Sequence, residues 1–372
     1  MPNIVAYLST YGPDAYLVER SLIKFWKKLK KSLAFLKQTC NTVAVKTESG
    51  CKNICNKVAV AREIVLKITV LGAGAMGSLF SGYLSRENNV TVVDVSETTV
   101  NAINTDGVRI REKNGIIRVH NPLAVTNTRN LGYQDLVIVF VKSMFTISAL
   151  EANRNLIGPE TYLMTLQNGA GHESKLLKFA DRKHVIIGST QHNSSVIEPG
   201  FVNHGGSGVT SIGLLDGDSA CLEDIAANFT KCGFECHTEN NVQKQIWKKM
   251  FTNTAASSLT ALYQVPLGFI HTDPNANWLM RQLCKEAVEV ANSLGLGFDL
   301  DEVTADVDKV CENAPNGYTS IYADIRDGRR SEVDTISGSV VEAARVQGIP
   351  VPYHEMVVRC IHALEDKAKE AV

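Results

Sequence analysis

The feature that most constrains this chain is a glycine-rich segment, KITVLGAGAMGSLFSGYL, at residues 67–84. It predicts an apolar strand, a tight turn with the spacing Gly72-x-Gly74-x-x-Gly77, and the start of a helix. The first glycine permits the turn, the second lets backbone N–H groups approach a pyrophosphate, and the third lets the helix pack closely on the strand. The next apolar run, NNVTVVDVS, contains Asp94 at its end, where a carboxylate binds a ribose diol. The segment therefore predicts a dinucleotide site, and a structural turn without a ligand is the alternative.

Apolar runs alternate with helical stretches from Lys67 onward, a pattern typical of a doubly wound parallel sheet. The expected strands are residues 68–71, 90–95, 136–141, 162–166, 185–188 and 209–214. After about Asn240 the patterns are long and helical, with breaks at prolines. We therefore expect an α/β fold, with an N-terminal Rossmann-type doubly wound parallel sheet in residues 67–240 and a C-terminal all-helical domain in residues 241–372.

Polar residues follow three of the expected strands. Lys142 and Ser143 come after the third, QNGAG (167–171) after the fourth, and STQHNS (189–194) after the fifth. Ligands of such sheets bind outside the carboxyl ends of the strands, so these residues are the expected rim of a cofactor cleft. A further glycine-rich run, HGGSG at 204–208, is interpreted as a hairpin link between two strands.

Composition excludes several classes of protein. The chain has 372 residues and a net charge of −1, so no broad basic field favours nucleic acid. The nine cysteines lack the paired CxxC spacing of a zinc site, which favours reduced thiols in a cytoplasmic protein without a structural metal. No apolar run approaches the ~18 residues that a membrane span needs.

Residues 1–66 differ in charge from the rest of the chain, with eleven Lys or Arg against four Asp or Glu. The segment ERSLIKFWKKLKKSLAFLKQ places apolar residues at helical spacing beside a lysine-rich face. A surface-binding or targeting helix is one interpretation. An accessory appendage or an incorrectly extended start is favoured, and we expect this basic N-terminal extension to carry no catalytic residue.

Two polar groups stand out in the helical part. Lys249 and Asn253 are four residues apart and so share one helix face. Ser320 and Glu332 lie in a charged stretch further on. By themselves these residues fit a solvated surface as well as a site.

Together the motifs resemble the ketopantoate reductases (2-dehydropantoate 2-reductases). The matching segments are GAGAMG (72–77), VKS (141–143), QNGAG (167–171), IWKKMFTN (246–253) and TSIYADIRDGRRSEVDTISG (319–338). The resemblance implies a two-domain NAD(P)H-dependent oxidoreductase, with its active site in the interdomain cleft, that reduces the small 2-oxo acid ketopantoate to pantoate in pantothenate biosynthesis. A homodimer is left open.

The resemblance also implies roles for individual residues. Lys249 would be the general acid and Glu332 its partner. Ser320 would hold the substrate carboxylate, Asn253 a substrate oxygen, and Asn168 would lie at both nicotinamide and substrate. The expected cofactor-binding residues are Gly72, Ala73, Gly74, Ala75, Met76, Gly77, Asp94, Lys142, Asn168 and Ser194.

Two departures from the family pattern affect the substrate. Ser257 and Leu267 stand where the family commonly has asparagines that help to recognise the hydroxyl end of ketopantoate. The alternative is therefore an NAD-dependent D-2-hydroxyacid dehydrogenase acting on another 2-oxo acid. A dinucleotide-sensing protein without turnover is a more remote alternative.

The expected cofactor also differs from the one that the ketopantoate reductases usually bind, which is NADPH. Asp94 ends the second expected strand, and VSET offers no Lys or Arg for a 2′-phosphate. These residues predict a preference for NADH.

Overall fold

The computed structural model describes residues 65–217 and 220–370, so the predicted helix within residues 1–66 lies outside the described residues. The described strands are β1 Lys67–Leu71, β2 Asn89–Val93, β3 Val108–Arg111, β4 Ile117–His120, β5 Leu123–Val125, β6 Leu136–Val139, β7 Tyr162–Thr165, β8 Val185–Thr190, β9 Asn193–Glu198, β10 Phe201–Gly206, β11 Thr210–Leu214 and β12 Cys236–Thr238.

The helices of the sheet-bearing region are α1 Ala75–Leu84, α2 Glu97–Asp106, α3 Thr146–Ala152, α4 Glu173–Leu176 and α5 Ala220–Lys231. Those that follow are α6 Val242–Thr252, α7 Ser258–Tyr263, α8 Leu267–Thr272, α9 Pro274–Ser293, α10 Leu300–Asn313, α11 Ser320–Arg326, α12 Ser337–Gln347 and α13 Pro352–Glu370. None of the described helices is both long and apolar enough to cross a membrane.

The main sheet has the strand order β12-β11-β8-β7-β6-β1-β2-β5. Strands β5, β2, β1, β6, β7 and β8 run parallel to one another. The chain places β2 on one side of β1 and returns to place β6 on the other. A crevice at such a reversal of strand order is the usual ligand site of this architecture, and it lies at the turn after β1.

The Rossmann-type fold class is confirmed, and the difference from the expectation is that the strand expected at residues 209–214 does not run parallel to β8. Strand β11 runs antiparallel to β8, and β12 is parallel to β11. The physical reason is the connection, because β8 and β11 are joined through two strands of another sheet rather than through a crossover helix.

That second sheet has the order β4-β3-β10-β9 and was not expected from the sequence. Helix α1 contacts strands of both sheets. The hairpin interpretation of HGGSG is wrong, because it joins β10 of the second sheet to β11 of the main sheet. The short, partly polar strands of this sheet carry little of the apolar patterning that marked the others.

The described elements after Thr238 are all helices, joined by loops. Helix α9 begins with Pro274 at its first turn, and the side chain of Asp273 accepts hydrogen bonds from the N–H groups of Asn275 and Ala276. Buried apolar residues of α6, α9, α10 and α12 form one core. The sheet-bearing and helical regions pack together as one compact unit, and their division into two domains near residue 240 stays a prediction.

Candidate active site

The glycine-rich turn after β1 has the geometry of a phosphate-binding turn. Gly72 has a φ of 100°, a conformation that favours glycine, and its N–H donates to Val93 O (2.7 Å). A Cβ on Gly77 would lie 1.8 Å from Gly72 O, so only glycine lets α1 start this close to β1. Gly74 is exposed, and a Cβ there would meet no protein atom within 4 Å. The turn therefore leaves open space in front of the N-terminus of α1, where an anion is favoured.

Asp94 lies beside this turn. Its carboxylate accepts hydrogen bonds from Ala73 N (2.7 Å) and Ser96 N (2.9 Å), which fixes it at the end of β2. The following residues, Val95 to Glu97, include no cation. The open face at Gly74 and the fixed carboxylate fit a dinucleotide, with the turn at the pyrophosphate and Asp94 at a ribose diol.

The remaining members of the expected cofactor set have different surroundings. Ala73 is buried, whereas Ala75 and Met76 are half-buried in the first turn of α1. Ser194 lies in β9 of the second sheet, and its buried hydroxyl has no hydrogen-bond partner among the described residues. No described contact joins Ser194 to the glycine turn, so its role stays a prediction.

Lys249 lies on α6 and meets the sheet-bearing region directly. Its Nζ donates a hydrogen bond to Asn168 Oδ1 (2.8 Å), although the two residues are 81 positions apart. Asn168 lies beyond the carboxyl end of β7, in the QNGAG segment. Burial lowers the pKa of Lys249 to about 8, and the negative charge of Glu332 acts in the opposite direction. The structure thus joins two of the predicted site residues across the two regions.

The segment that carries Asn168 is held against the helical region. Gly169 has a φ of 100°, and a Cβ there would lie 1.8 Å from Thr335 O. Ala170 N donates to the same carbonyl oxygen (3.1 Å). Thr335 therefore limits how closely the Asn168 turn approaches the helical region. The sequence did not predict this contact.

Glu332 makes a different contact from the expected one. Its Oε1 accepts a hydrogen bond from Ser143 N (2.9 Å), 189 positions away, and within the described part of the chain it forms no ion pair with Lys249. Burial raises the pKa of the Glu332 carboxyl. Glu332 thus acts on Lys249 through its electric field and not through direct contact.

Lys142 and Ser143 join the same assembly, which we call the clasp: Lys142, Ser143, Asp324, Glu332 and Thr335. Lys142 Nζ pairs with Asp324 Oδ1 (2.7 Å) and donates to Arg330 O (2.9 Å). Thr335 Oγ1 donates to Ser143 Oγ (3.1 Å). The clasp connects the loop after β6 to the segment around α11. The sequence signal for this connection was the high density of charged residues in YADIRDGRRSEVDT.

Lys175 adds a further cation that the sequence analysis missed. Its Nζ donates to Ser143 O (2.8 Å), and burial lowers its pKa while Glu332 and Asp334 oppose that shift.

Two of the three predicted substrate residues, Asn253 and Ser320, have free polar atoms. Asn253 is half-buried in the π-helical turn Asn253–Ser257, directly after α6, and its N–H donates to Lys249 O. Ser320 is exposed at the first position of α11. Neither side chain has a hydrogen-bond partner among the described residues. Ser257 and Leu267, the two departures from the family pattern, are both buried.

Comparisons with known proteins identify the family of this chain. The family description "Ketopantoate reductase PanE/ApbA" matches residues 68–217, and its C-terminal counterpart matches residues 241–365. A 2-dehydropantoate 2-reductase of Halobacterium salinarum is 32% identical over 290 residues, covering 77% of this chain and 95% of the relative. One of Pyrococcus abyssi is 30% identical over 308 residues, covering 82% of this chain and 99% of the relative.

Solved structures give the same result. D-mandelate dehydrogenase with NADH and anilino(oxo)acetate is 26% identical with a TM-score of 0.77, covering 82% of this chain and 99% of that one. A PanE/ApbA family ketopantoate reductase from Ralstonia eutropha JMP134 is 27% identical with a TM-score of 0.75, over the same shares of the two chains. This chain belongs to the ketopantoate reductase family, whose members are NAD(P)-dependent oxidoreductases acting on CH–OH groups.

Proposed function

We propose that this protein is a 2-dehydropantoate 2-reductase, which reduces ketopantoate to pantoate with Lys249 as the general acid. The observation that carries the proposal is the hydrogen bond from Lys249 Nζ to Asn168 Oδ1, which places an ammonium group beside the carboxyl ends of the parallel strands. The family membership and the open turn at Gly74 support it.

The proposed chemistry needs a cation at the carbonyl oxygen. When bound, the nicotinamide of NAD(P)H supplies the hydride. As the carbonyl carbon gains that hydride, its oxygen gains negative charge, which the Lys249 ammonium stabilises and then neutralises by donating a proton. Asn168 holds the ammonium in place, and solvent reprotonates the lysine after product release. A pKa of about 8 keeps most of Lys249 cationic at neutral pH and makes it a stronger acid than an ordinary lysine.

Substrate recognition is assigned to the free polar groups of the helical region. Ser320 would bind the carboxylate and Asn253 a second oxygen. Asn253 follows Lys249 by four residues in a continuous helical segment, which places both side chains on one side of it.

A D-2-hydroxyacid dehydrogenase is the second candidate. Two observations favour it: Ser257 and Leu267 replace the usual asparagines, and the protein is similar to D-mandelate dehydrogenase. An apolar residue at position 267 offers no hydrogen bond to a substrate hydroxyl. A substrate with an aryl or alkyl end would not need one.

A substrate panel separates the candidates. kcat/KM is measured for ketopantoate, a branched 2-oxo acid and an aryl-substituted 2-oxo acid, each with NADH and with NADPH. The highest value with ketopantoate supports the first proposal, and a higher value with another 2-oxo acid supports the second. Binding of cofactor without turnover of any 2-oxo acid would instead support the sensing protein.

The assignment of the acid is tested with a matched pair of lysines. Lys249→Ala should lower kcat on the order of 10²-fold or more, since an acid catalyst is lost. Lys248→Ala, an exposed neighbour on the same helix, should leave kcat close to normal. Cofactor affinity should change little in both. Near-normal turnover of Lys249→Ala would place the general acid elsewhere.

A further inference from the structure

One buried histidine next to the proposed acid has no role in the chemistry described so far. His172 lies immediately before α4 and is only 4% exposed. Its Nε2 lies 2.9 Å from the backbone oxygen of Asn168, the residue whose side chain binds Lys249. A carbonyl oxygen only accepts hydrogen bonds, so Nε2 carries the hydrogen and donates it.

The surroundings of the His172 ring keep it neutral, with the hydrogen on Nε2. Nδ1 of His172 is buried and has no hydrogen-bond partner among the described residues. Burial lowers the pKa of His172 to about 4, and the nearby Lys175 ammonium acts in the same direction. The ring is therefore neutral at physiological pH, and Nδ1 is a bare acceptor.

The backbone between Asn168 and His172 shows what the hydrogen bond from Nε2 constrains. It contains Gly169 with a φ of 100° and Gly171 with a φ of 78°, two residues that have wide conformational freedom when unconstrained. The hydrogen bond from the ring closes this five-residue turn at its base. At its tip, Ala170 N donates to Thr335 O. These two hydrogen bonds fix the Asn168 backbone in the position from which its side chain contacts Lys249.

We propose that His172 is a positioning residue for the reduction, which fixes the Asn168 backbone so that the Asn168 amide orients the Lys249 ammonium. The proposal rests on the proposed function only in taking Lys249 as the general acid. His172 does not touch substrate or reacting atoms, and it acts through Asn168.

The first test compares three variants in steady-state kinetics. His172→Ala should lower kcat by about 10- to 100-fold, the range expected when a catalytic group is misplaced, with little change in the affinity for NAD(P)H. His172→Gln, whose amide is able to donate to a carbonyl, should recover part of the loss. In an Asn168→Ala background, His172→Ala should cause little further loss, because both changes disrupt one unit.

His184 provides a matched control. It is also a buried histidine, 7% exposed, but it lies just before β8 and its ring packs against Tyr162 rather than contacting Asn168. His184→Ala should lower thermal stability without the loss of kcat. An equal loss of kcat in this variant would show that removing a buried histidine lowers kcat through general destabilisation. That result would overturn the proposal.

A spectroscopic test uses the unmodified protein, so it holds even if His172→Ala fails to fold. In ¹⁵N-histidine-labelled protein, His172 should remain the Nε2–H tautomer down to about pH 5. An Nδ1–H tautomer would contradict the proposed contact.

Failure of this proposal is distinguishable from failure of the proposed function. Normal kcat in His172→Ala together with an inactive Lys249→Ala would overturn only the role of His172. A fully active Lys249→Ala would overturn the assignment of the acid and, with it, the role of His172 in orienting Lys249.

Discussion

A single lysine side chain connects the electrostatics of this protein to its proposed chemistry. Lys249 would be weak evidence for a site from sequence alone, since most helical lysines are solvated. Its pKa of about 8 results from burial, and the contact with Asn168 shows what holds it. A catalytic acid is most effective when its pKa is near the working pH, and burial achieves that here.

The pH dependence of catalysis follows from this pKa. Proton donation requires the ammonium form, so kcat/KM should be highest below pH 8 and should fall as the pH rises through about 8. Glu332→Gln removes the negative charge that raises the pKa of Lys249, so the alkaline fall should move to lower pH. Glu342→Gln, an exposed carboxylate paired with Arg345, should leave the profile unchanged. A profile that is identical in Glu332→Gln would contradict the proposed coupling.

Asp94 should determine the preference between NADH and NADPH. A 2′-phosphate beside Asp94 would be opposed by up to about 4 kcal/mol for a pair ~4 Å apart at an effective dielectric constant of ~20. We expect a higher kcat/KM with NADH than with NADPH. Asp94→Asn keeps an oxygen for the hydrogen bond from Ala73 N but removes the negative charge. It should therefore narrow the difference in kcat/KM between NADH and NADPH. A higher kcat/KM with NADPH in the unmodified protein would refute this expectation.

Two loops and one helical segment assemble the candidate site. The loop after β6 carries Lys142 and Ser143, the loop after β7 carries Asn168, and the segment around α11 holds both through Asp324, Glu332 and Thr335. These loops leave the carboxyl ends of adjacent strands, so the parallel sheet brings them side by side.

Two glycines of one loop provide a test of this assembly. Gly169→Ala introduces a Cβ 1.8 Å from Thr335 O as well as strain at positive φ, so it should lower both the thermal stability and kcat. Gly171→Ala has positive φ but no protein atom within 4 Å of the added Cβ, so it should cost only the conformational strain, about 1–2 kcal/mol. Thermal unfolding and kcat of both variants check the difference. Equal effects would mean that the contact with Thr335 does not constrain the loop.

At the scale of the whole molecule, the described fold begins where the glycine signature begins. Strand β1 starts at Lys67, and Leu66 is held by hydrogen bonds with Asn88 and Asn89. The family matches start at residue 68 and end at residue 365. We therefore expect the catalytic fold to be contained in residues that follow the basic segment.

Deletion of residues 1–65 tests this point. The truncated protein should be expressed in soluble form and should keep cofactor binding and kcat close to those of the full chain, because every described strand and every proposed site residue remains. Soluble yield, cofactor titration and turnover measure the outcome. Loss of folding or of cofactor binding would show that the basic segment belongs to the catalytic fold.

The sequence by itself determined the features that depend on near neighbours along the chain. The glycine turn at 72–77, the carboxylate of Asp94 at the end of β2, six strands of the main sheet and the shared helix face of Lys249 and Asn253 all follow from local spacing. Only the tertiary structure decided the second sheet, the antiparallel edge, the partner of Glu332 and the contact of Lys249 with Asn168. The physical reason is distance along the chain: local patterns fix backbone conformation, whereas contacts between residues 81 or 189 positions apart arise only when whole elements pack.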